Sequence, residues 1–168
     1  MKRQFLCLLP LALIVFIACK KDGHTTTDLR IHLTDAPYNA QQVNVDIQQV
    51  RVNMRSDSAG WTDLETNAGI YNLLDFQNGL DTLIAQTTVP TGTVKELRLV
   101  LGANNSIMID SVLYPLTIPS GSASGLKIKV DKRLSPGLDS LVVDFDAALS
   151  VVLNGNGDYL LKPVLKIK

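Results

Sequence analysis

Apolar and polar residues alternate with a period of two along most of the chain beyond residue 28. Leu29, Ile31 and Leu33 are separated by polar residues, and 43–47 repeats the pattern. Successive side chains of a β-strand point to opposite faces of a sheet, so this period predicts strands with one buried face. Further strands are predicted at 61–64, 70–74, 94–101, 106–109, 112–118, 126–130, 138–153 and 159–167.

The alternation changes phase once, inside the second predicted strand. The apolar positions of 43–47 have odd numbers, whereas those of 50–54 have even numbers. One extra residue near Gln48 and Gln49 would keep both sets on the same inward face. The phase change therefore predicts a β-bulge at this point.

Turn-forming residues separate the apolar runs at intervals of roughly ten residues, which is typical of all-β proteins. We predict a single antiparallel β-sandwich, immunoglobulin-like or transthyretin-like. Helix is expected only as a turn at 38–42 and a short piece near 73–83. The clearest hairpin joins two apolar stretches through Asn154-Gly155-Asn156-Gly157, and Pro163 is expected at an edge or an irregularity.

The N-terminus has the features of an export signal. Lys2 and Arg3 precede a fourteen-residue uncharged run from Phe5 to Ala18. The run is too short to cross a hydrocarbon core of ~30 Å as a helix, and a small residue precedes the expected cut. Residues 1–18 are therefore predicted to be a signal peptide, followed by an acylated cysteine. The alternatives are an ordinary signal peptide with a coincidental cysteine after it, or a short membrane anchor.

The residues at the predicted cut indicate lipidation. The tetrad Phe-Ile-Ala-Cys at 16–19 resembles the lipobox of bacterial lipoproteins, in which the cysteine is acylated and the peptide is cut just before it. Cys19 is thus the predicted site of palmitate-type acylation, and the membrane is the predicted partner of the N-terminal lipid. Residues 19–27 are predicted to be a flexible tether and 28–168 the folded domain. Residues 20–22, Lys-Lys-Asp, resemble a surface-export signal, which favours the cell surface of the outer membrane over a periplasm-facing position.

Cysteine and charge counts narrow the class of protein. The only cysteines are Cys7, inside the signal, and Cys19, so the folded domain is expected to hold together without a disulfide. Removal of 1–18 leaves 150 residues with 14 basic and 16 acidic side chains, a size suited to one domain and a net charge of −2. This charge predicts no nucleic-acid partner.

Few side chains offer catalytic or metal chemistry. His24 lies in the tether and His32 on the predicted polar face of the first strand, and no other histidine is present for a triad. The loop 154–158 lacks the spaced carboxylates and closing glutamate of a calcium loop. We expect no enzymatic activity, no metal and no cofactor.

Two sets of residues are candidate binding groups. Asp144 and Asp146 share one face of a predicted strand, where they would form either a cation or polar site or the solvated side of the strand. Trp61, Tyr38 and Tyr71 would form a surface on which sugar rings stack; the alternative for Trp61 is a core or rim position.

Several motifs occur in an order that resembles a known family. They are "IHLTDAP", "VNVDIQQVRV", "VPTGTVKELRLVL", "YPLTIPSGSASGLKI", "LVVDFDAALSVV" and "YLLKPVLKI". Together they resemble the bacterial lipoprotein domain known as domain of unknown function 4382, over about residues 28–168. The resemblance implies an exported, commonly lipid-anchored, β-rich protein, and it implies no catalytic residues.

These observations favour a cell-envelope lipoprotein that serves as a non-enzymatic binding or adhesion module, with polysaccharide or another envelope protein as its partner. The alternative is a structural or accessory subunit of a surface assembly, joined by addition of a β-strand at a sheet edge.

Overall fold

The fold is built almost entirely from β-strands in the computed structural model, which describes residues 25–36, 38–55, 57, 59–119 and 125–168. The predicted signal peptide, Cys19 and the tether up to His24 lie outside the described residues. Two short helices accompany the strands, a 3₁₀ helix at Leu73–Phe76 and α1 at Ala147–Ser150. The strands are β1 Thr26–Thr34, β2 Gln42–Asn53, β3 Trp61–Asp63, β4 Glu65–Thr66, β5 Gly69–Asn72, β6 Thr82–Pro90, β7 Thr93–Leu101, β8 Ser106–Ile109, β9 Val112–Thr117, β10 Leu126–Arg133, β11 Gly137–Phe145, β12 Val151–Leu153, β13 Tyr159–Leu161 and β14 Leu165–Ile167.

The first sheet has the strand order β14-β11-β1-β6-β4. Its central strand β1 pairs antiparallel with β6 and parallel with β11, in a register that places Thr34 beside Asp144. This parallel pair brings the ends of two strands that are distant in the sequence to the same end of the sheet.

The second sheet is organised around β2, which pairs with β5 and β3 along one edge and with β8 and β7 along the other. The register of the β2–β7 pair shifts between Ile47 and Gln49, which confirms the predicted bulge. The apolar residues on both sides of the shift are fully buried, because the extra residue returns the strand to the same inward face.

The two sheets share one hydrophobic core, as in a β-sandwich. Leu29, Ile31 and Leu33 of β1 belong to the same buried cluster as the inward residues of β2 and β7. The all-β prediction is confirmed. The sheets are mixed rather than purely antiparallel, since β1 pairs parallel with β11 and β9 pairs parallel with β13.

Two long predicted strands are in fact interrupted. The run 138–153 is divided by α1, and 159–167 is divided near Pro163 into β13 and β14. The predicted hairpin exists as the β12–β13 pair, and Pro163 lies at the irregularity where it was expected. Because of these two interruptions, the last part of the chain contributes to both sheets. Strands β11 and β14 belong to the first sheet, and β12 and β13 belong to the second.

The folded domain begins earlier than predicted. Strand β1 starts at Thr26, and Thr27 is fully buried, with its hydroxyl donating to the carbonyl oxygen of Ser135 at 2.7 Å. Residues 26 and 27 therefore belong to the sheet rather than to the tether. Within the described part of the chain, no helix has both the length and the apolar character needed to cross a bilayer.

Candidate ligand-binding face

The three aromatic residues predicted to form one sugar-stacking surface do not lie together. Trp61 is opposite Asn53 on β2, whereas Tyr71 is opposite Val45, roughly 25 Å away along that strand at 3.3 Å per residue. Val45 points into the core, and Trp61 lies in register with the outward positions beyond the bulge, so Trp61 and Tyr71 face opposite sides of the sheet. The prediction of a single three-ring platform is wrong.

Tyr71 and Tyr38 are packing residues. Both are half-buried against the hydrophobic core, and the Tyr71 ring lies 6.3 Å from that of Phe76. The Tyr71 hydroxyl donates to the carbonyl oxygen of Asn67, and burial raises the pKa of this hydroxyl. Neither tyrosine presents a free ring face on the side of the sheet where Trp61 lies.

Trp61 is surrounded by positive charge on the outer face of the second sheet. The Arg98 guanidinium lies 4.3 Å from the centre of the Trp61 ring. The Arg51 guanidinium lies 5.9 Å from the same centre, and the Lys127 ammonium lies 5.8 Å from it. All three distances are in the range in which a cation is attracted by an aromatic face. We call Trp61, Arg51, Arg98 and Lys127 the Trp61 face.

Strand register explains why these cations meet. Arg51 of β2 is directly opposite Arg98 of β7, and Arg98 is directly opposite Lys127 of β10. Like charges placed opposite one another are unfavourable, so the row needs negative charge nearby. Asp63 of β3 supplies some of it, because it pairs with Arg51 in register and accepts from its Nε.

The other two cations of the face have no counter-ion among the described residues. Neither Arg98 nor Lys127 forms an ion pair there, and the Nε atom of Arg98 is buried without a hydrogen-bond acceptor in the same part of the chain. Gly125 lies against the Arg98 stem, since a Cβ at that glycine would be 2.9 Å from both Cγ and Cδ. The glycine therefore leaves the space in which Arg98 packs onto Trp61.

Sequence reasoning singled out Trp61 but missed the three cations. Each is visible as a basic residue at an outward position in "VRVN", "ELRLVL" or "LKIK". Their convergence depends on which strands are neighbours, and alternation along a single strand carries no information about that.

Asp144 and Asp146 do not form a pair on a solvated strand face. Strand β11 ends at Phe145, and Asp146 caps helix α1 by accepting from the backbone N–H of Leu149 at 3.0 Å. Asp144 is 1% exposed, and its Oδ2 atom lies 3.1 and 3.2 Å from the ammonium nitrogens of Lys166 and Lys168. These contacts are ionic, because neither carboxylate oxygen has a well-directed donor among the described residues. The cations beside Asp144 are thus the chain's own lysines.

A second buried carboxylate, Asp35, joins the motifs "LTDAP" and "DFDA". Its Oδ1 accepts from the backbone N–H of Ala147 at 2.9 Å, and its Oδ2 accepts from the Gln77 side chain at 3.1 Å. Burial raises the pKa of Asp35, against the opposing effect of these hydrogen bonds, and the charge of Asp144 raises it further. The arrangement ties the end of β1 to the start of α1, which is a structural role.

An apolar cleft between β7 and β9 is less suited to a polar ligand than the Trp61 face. It has a volume of 430 Å³ and lies beside the loop from β7 to β8, with a mainly apolar lining that includes Leu101, Leu116 and Ile118. Its one amide side chain, Asn105, is occupied on both sides, accepting from the N–H of Asp46 and donating to the carbonyl oxygen of Gly102.

The described residues contain no arrangement suited to a metal ion or to catalysis by histidine. No group of three or more His, Cys, Asp or Glu side chains in that part of the chain is arranged to hold a metal ion. His32 lies on the polar side of β1, as predicted, with Nδ1 2.6 Å from Oδ1 of Asp81. No serine or cysteine nucleophile is hydrogen-bonded to His32 there.

The fold and the Trp61 face define an all-β domain with two mixed sheets around one core and a basic, aromatic outer face. The model of the family described as domain of unknown function DUF4382 matches residues 26–163, and the chain belongs to this family. No curated protein and no solved structure matches the chain.

Proposed function

We propose that this chain is a membrane-anchored lipoprotein of the cell envelope and that its domain is a non-enzymatic module that binds carbohydrate at the Trp61 face. The observation that carries the proposal is the contact of Trp61 with Arg98 at 4.3 Å, with Arg51 and Lys127 close to the same ring. A partly exposed aromatic surface beside several hydrogen-bond donors is the composition expected of a site that binds sugar rings.

The N-terminal sequence supports the location. A signal peptide at 1–18 would leave Cys19 as the acylated first residue, and β1 begins only at Thr26. The few polar residues between them suit a tether that holds the domain close to the outer membrane, on the cell surface or facing the periplasm.

The alternative function, assembly by addition of a β-strand, is less well supported, because charged side chains and an irregularity protect the sheet edges at β10 and β11. The end strand β10 presents the exposed side chains of Lys127, Lys129 and Arg133, and its pairing with β7 is interrupted near Asp131, which has a positive φ of 50°. Charged side chains and bulges are the devices by which sheet edges resist pairing with another chain. In β11, the carbonyl oxygen of Ser140 is covered by the Lys132 ammonium at 2.6 Å.

Glycan binding tests the role of the face. The lipidated full-length chain, purified in detergent, would be applied to a polysaccharide array beside the variants Trp61→Ala and Tyr114→Ala. Tyr114 is the matched control, an exposed aromatic residue that packs on Tyr159 away from the Trp61 face. We expect Trp61→Ala to lose binding by about tenfold or more, as for a central aromatic contact, and Tyr114→Ala to retain it. An array without any bound glycan, or equal binding by Trp61→Ala, would refute the proposal.

Metabolic labelling tests the anchor separately. Cells that express the chain would be grown with labelled palmitate, with Cys19→Ser as the control. We expect label on the wild-type polypeptide and none on the variant. An unlabelled wild-type chain would remove the lipid from the proposal, and protection of the labelled chain from protease added to intact cells would place it on the periplasmic side.

A further inference from the structure

We infer that the carbohydrate bound at the Trp61 face is acidic, with carboxylate groups on its sugar rings that pair with Arg98 and Lys127. This inference rests on the proposed function and specifies its ligand class. It is drawn from the balance of charge on one face of the second sheet.

Each acidic residue of this face lies beside a cation other than Arg98 and Lys127. Asp63 accepts from Arg51, and Glu96 is directly opposite Lys129 in the β7–β10 register. Arg98 and Lys127 remain without an anionic partner among the described residues. In the segments outside the described residues the sequence has a single acidic residue, Asp22, and residues 120–124 next to β10 are Ser-Gly-Ser-Ala-Ser. The missing negative charge is therefore expected from a ligand.

The Arg98 guanidinium is held in a fixed position before any ligand arrives. Its central carbon lies over the Trp61 ring, 4.3 Å from the ring centre, and Gly125 lies against the Cγ and Cδ atoms of the Arg98 stem. A planar guanidinium presents a fork of N–H donors that matches a carboxylate, and a group already fixed loses less conformational freedom on binding. Lys127, on the neighbouring strand, adds a more flexible point charge.

The small size of the Trp61 face and the low net charge of the chain favour carbohydrate over other polyanions. Nucleic acid requires a long basic surface, but beyond residue 18 the chain has a net charge of −2, and the two free cations of the Trp61 face lie on two adjacent strands. One aromatic ring with two neighbouring cations matches one or two charged sugar residues.

Equilibrium binding to polygalacturonate tests the inference. The lipidated full-length chain in neutral detergent would be titrated with polygalacturonate oligosaccharides and with the same oligosaccharides after reduction of their carboxyl groups to neutral sugars. Arg98→Gln and Lys127→Gln each remove one free cation from the face. Lys162→Gln removes one exposed charge from the link between β13 and β14, outside the Trp61 face, and is the matched control. Because Lys127 is exposed on an edge strand, its variant keeps the test valid even if Arg98→Gln impairs folding.

We expect polygalacturonate to bind, its affinity to fall as salt is added, and the carboxyl-reduced form to bind at least about tenfold more weakly. Arg98→Gln and Lys127→Gln should each weaken binding by about tenfold, with no change for Lys162→Gln. Equal binding of the reduced oligosaccharide would overturn the inference and leave the proposed function standing. Absence of binding to any glycan would overturn both. Preference for vesicles of anionic phospholipid, lost in the same two variants, would replace the polysaccharide with a lipid headgroup and overturn the inference.

Discussion

The Asp35 carboxylate accepts a hydrogen bond of 2.9 Å from the backbone N–H of Ala147, although 112 residues separate the two in the sequence. Both groups are buried, and the contact joins the end of β1 to the first turn of α1. A buried N–H without an acceptor costs free energy, so this one contact couples two conspicuous motifs of the chain. It explains why an acidic residue occupies an interior position at the end of a central strand.

Asp35→Ala should therefore destabilise the domain by about 2 kcal/mol, since it leaves the N–H of Ala147 and the amide of Gln77 without their acceptor. Asp35→Asn should cost less, because its amide oxygen still accepts from Ala147 and no negative charge is buried. Urea denaturation of the two variants and the wild type measures the difference. Equal stability of Asp35→Ala and wild type would show that the contact does not hold the motifs together.

The contributions of Asp35 and Asp139 to the stability of the domain should depend on pH in opposite directions. The pKa of Asp35 is raised above its ordinary value of 3.8, mainly by burial, so the native state binds this proton more tightly than the unfolded chain. Its contribution to stability therefore falls as pH rises from 3.8 through the raised pKa. The pKa of Asp139 is lowered, first by its hydrogen bond with Lys132, so its contribution is complete above 3.8 and is lost as pH falls below that value.

Subtracting the stability of Asp35→Asn, and separately of Asp139→Asn, from that of the wild type isolates each contribution. Thermal unfolding between pH 3 and pH 6 should give a difference that decreases with pH for Asp35 and one that increases with pH below 3.8 for Asp139. A flat difference for either variant would contradict the corresponding assignment.

The lysines beside Asp144 should matter mainly because they neutralise it. Removing one partner of a buried charge is more costly than replacing the whole arrangement by neutral groups. The double variant Lys166→Met/Lys168→Met should thus be less stable than wild type, and addition of Asp144→Asn should restore part of the loss. Urea denaturation of the full cycle checks this order; a triple variant less stable than the double one would show that the carboxylate has another role.

The alternation of apolar and polar residues is sufficient to predict part of the fold. The phase change in β2 located the bulge between Ile47 and Gln49 because burial on both sides of it demands one inward face. The same rule failed at Asp144, since a buried ion-paired aspartate and a solvated one occupy the same position in an alternating pattern. Helix α1 was missed because four residues of apolar sequence between two strands resemble continued strand.

The candidate site is harder to predict from the sequence than the fold. Residue type marks Trp61 as a sugar-stacking candidate, but its three cations come from strands whose adjacency depends on long-range pairing. The separation of Trp61 from Tyr71 likewise depends on which end of β2 each short strand joins. Residue type identified one member of the site, and only strand order identified the rest.

Gly102 should be intolerant of any side chain, because the loop after β7 closes on a buried carboxylate. A Cβ at this glycine would lie 2.1 Å from Oδ2 of Asp46, which also accepts from the N–H of Asn104 at 3.1 Å. Gly102 itself donates to the carbonyl oxygen of Asp46 at 2.8 Å, so the backbone cannot retreat without breaking that bond. Gly102→Ala should lower the free energy of unfolding by about 1–3 kcal/mol, the usual effect of overpacking.

Gly155→Ala is the matched control for this substitution, since a Cβ at Gly155 meets no atom within 4 Å. The control variant should stay within about 0.5 kcal/mol of wild type in urea denaturation, as surface substitutions usually do. Adding Asp46→Ala to Gly102→Ala would remove the atom that the new methyl group contacts, so the two substitutions should be less costly together than the sum of their separate effects. Strict additivity in this cycle would show that the methyl group does not meet Asp46 and that the loop closes in another way.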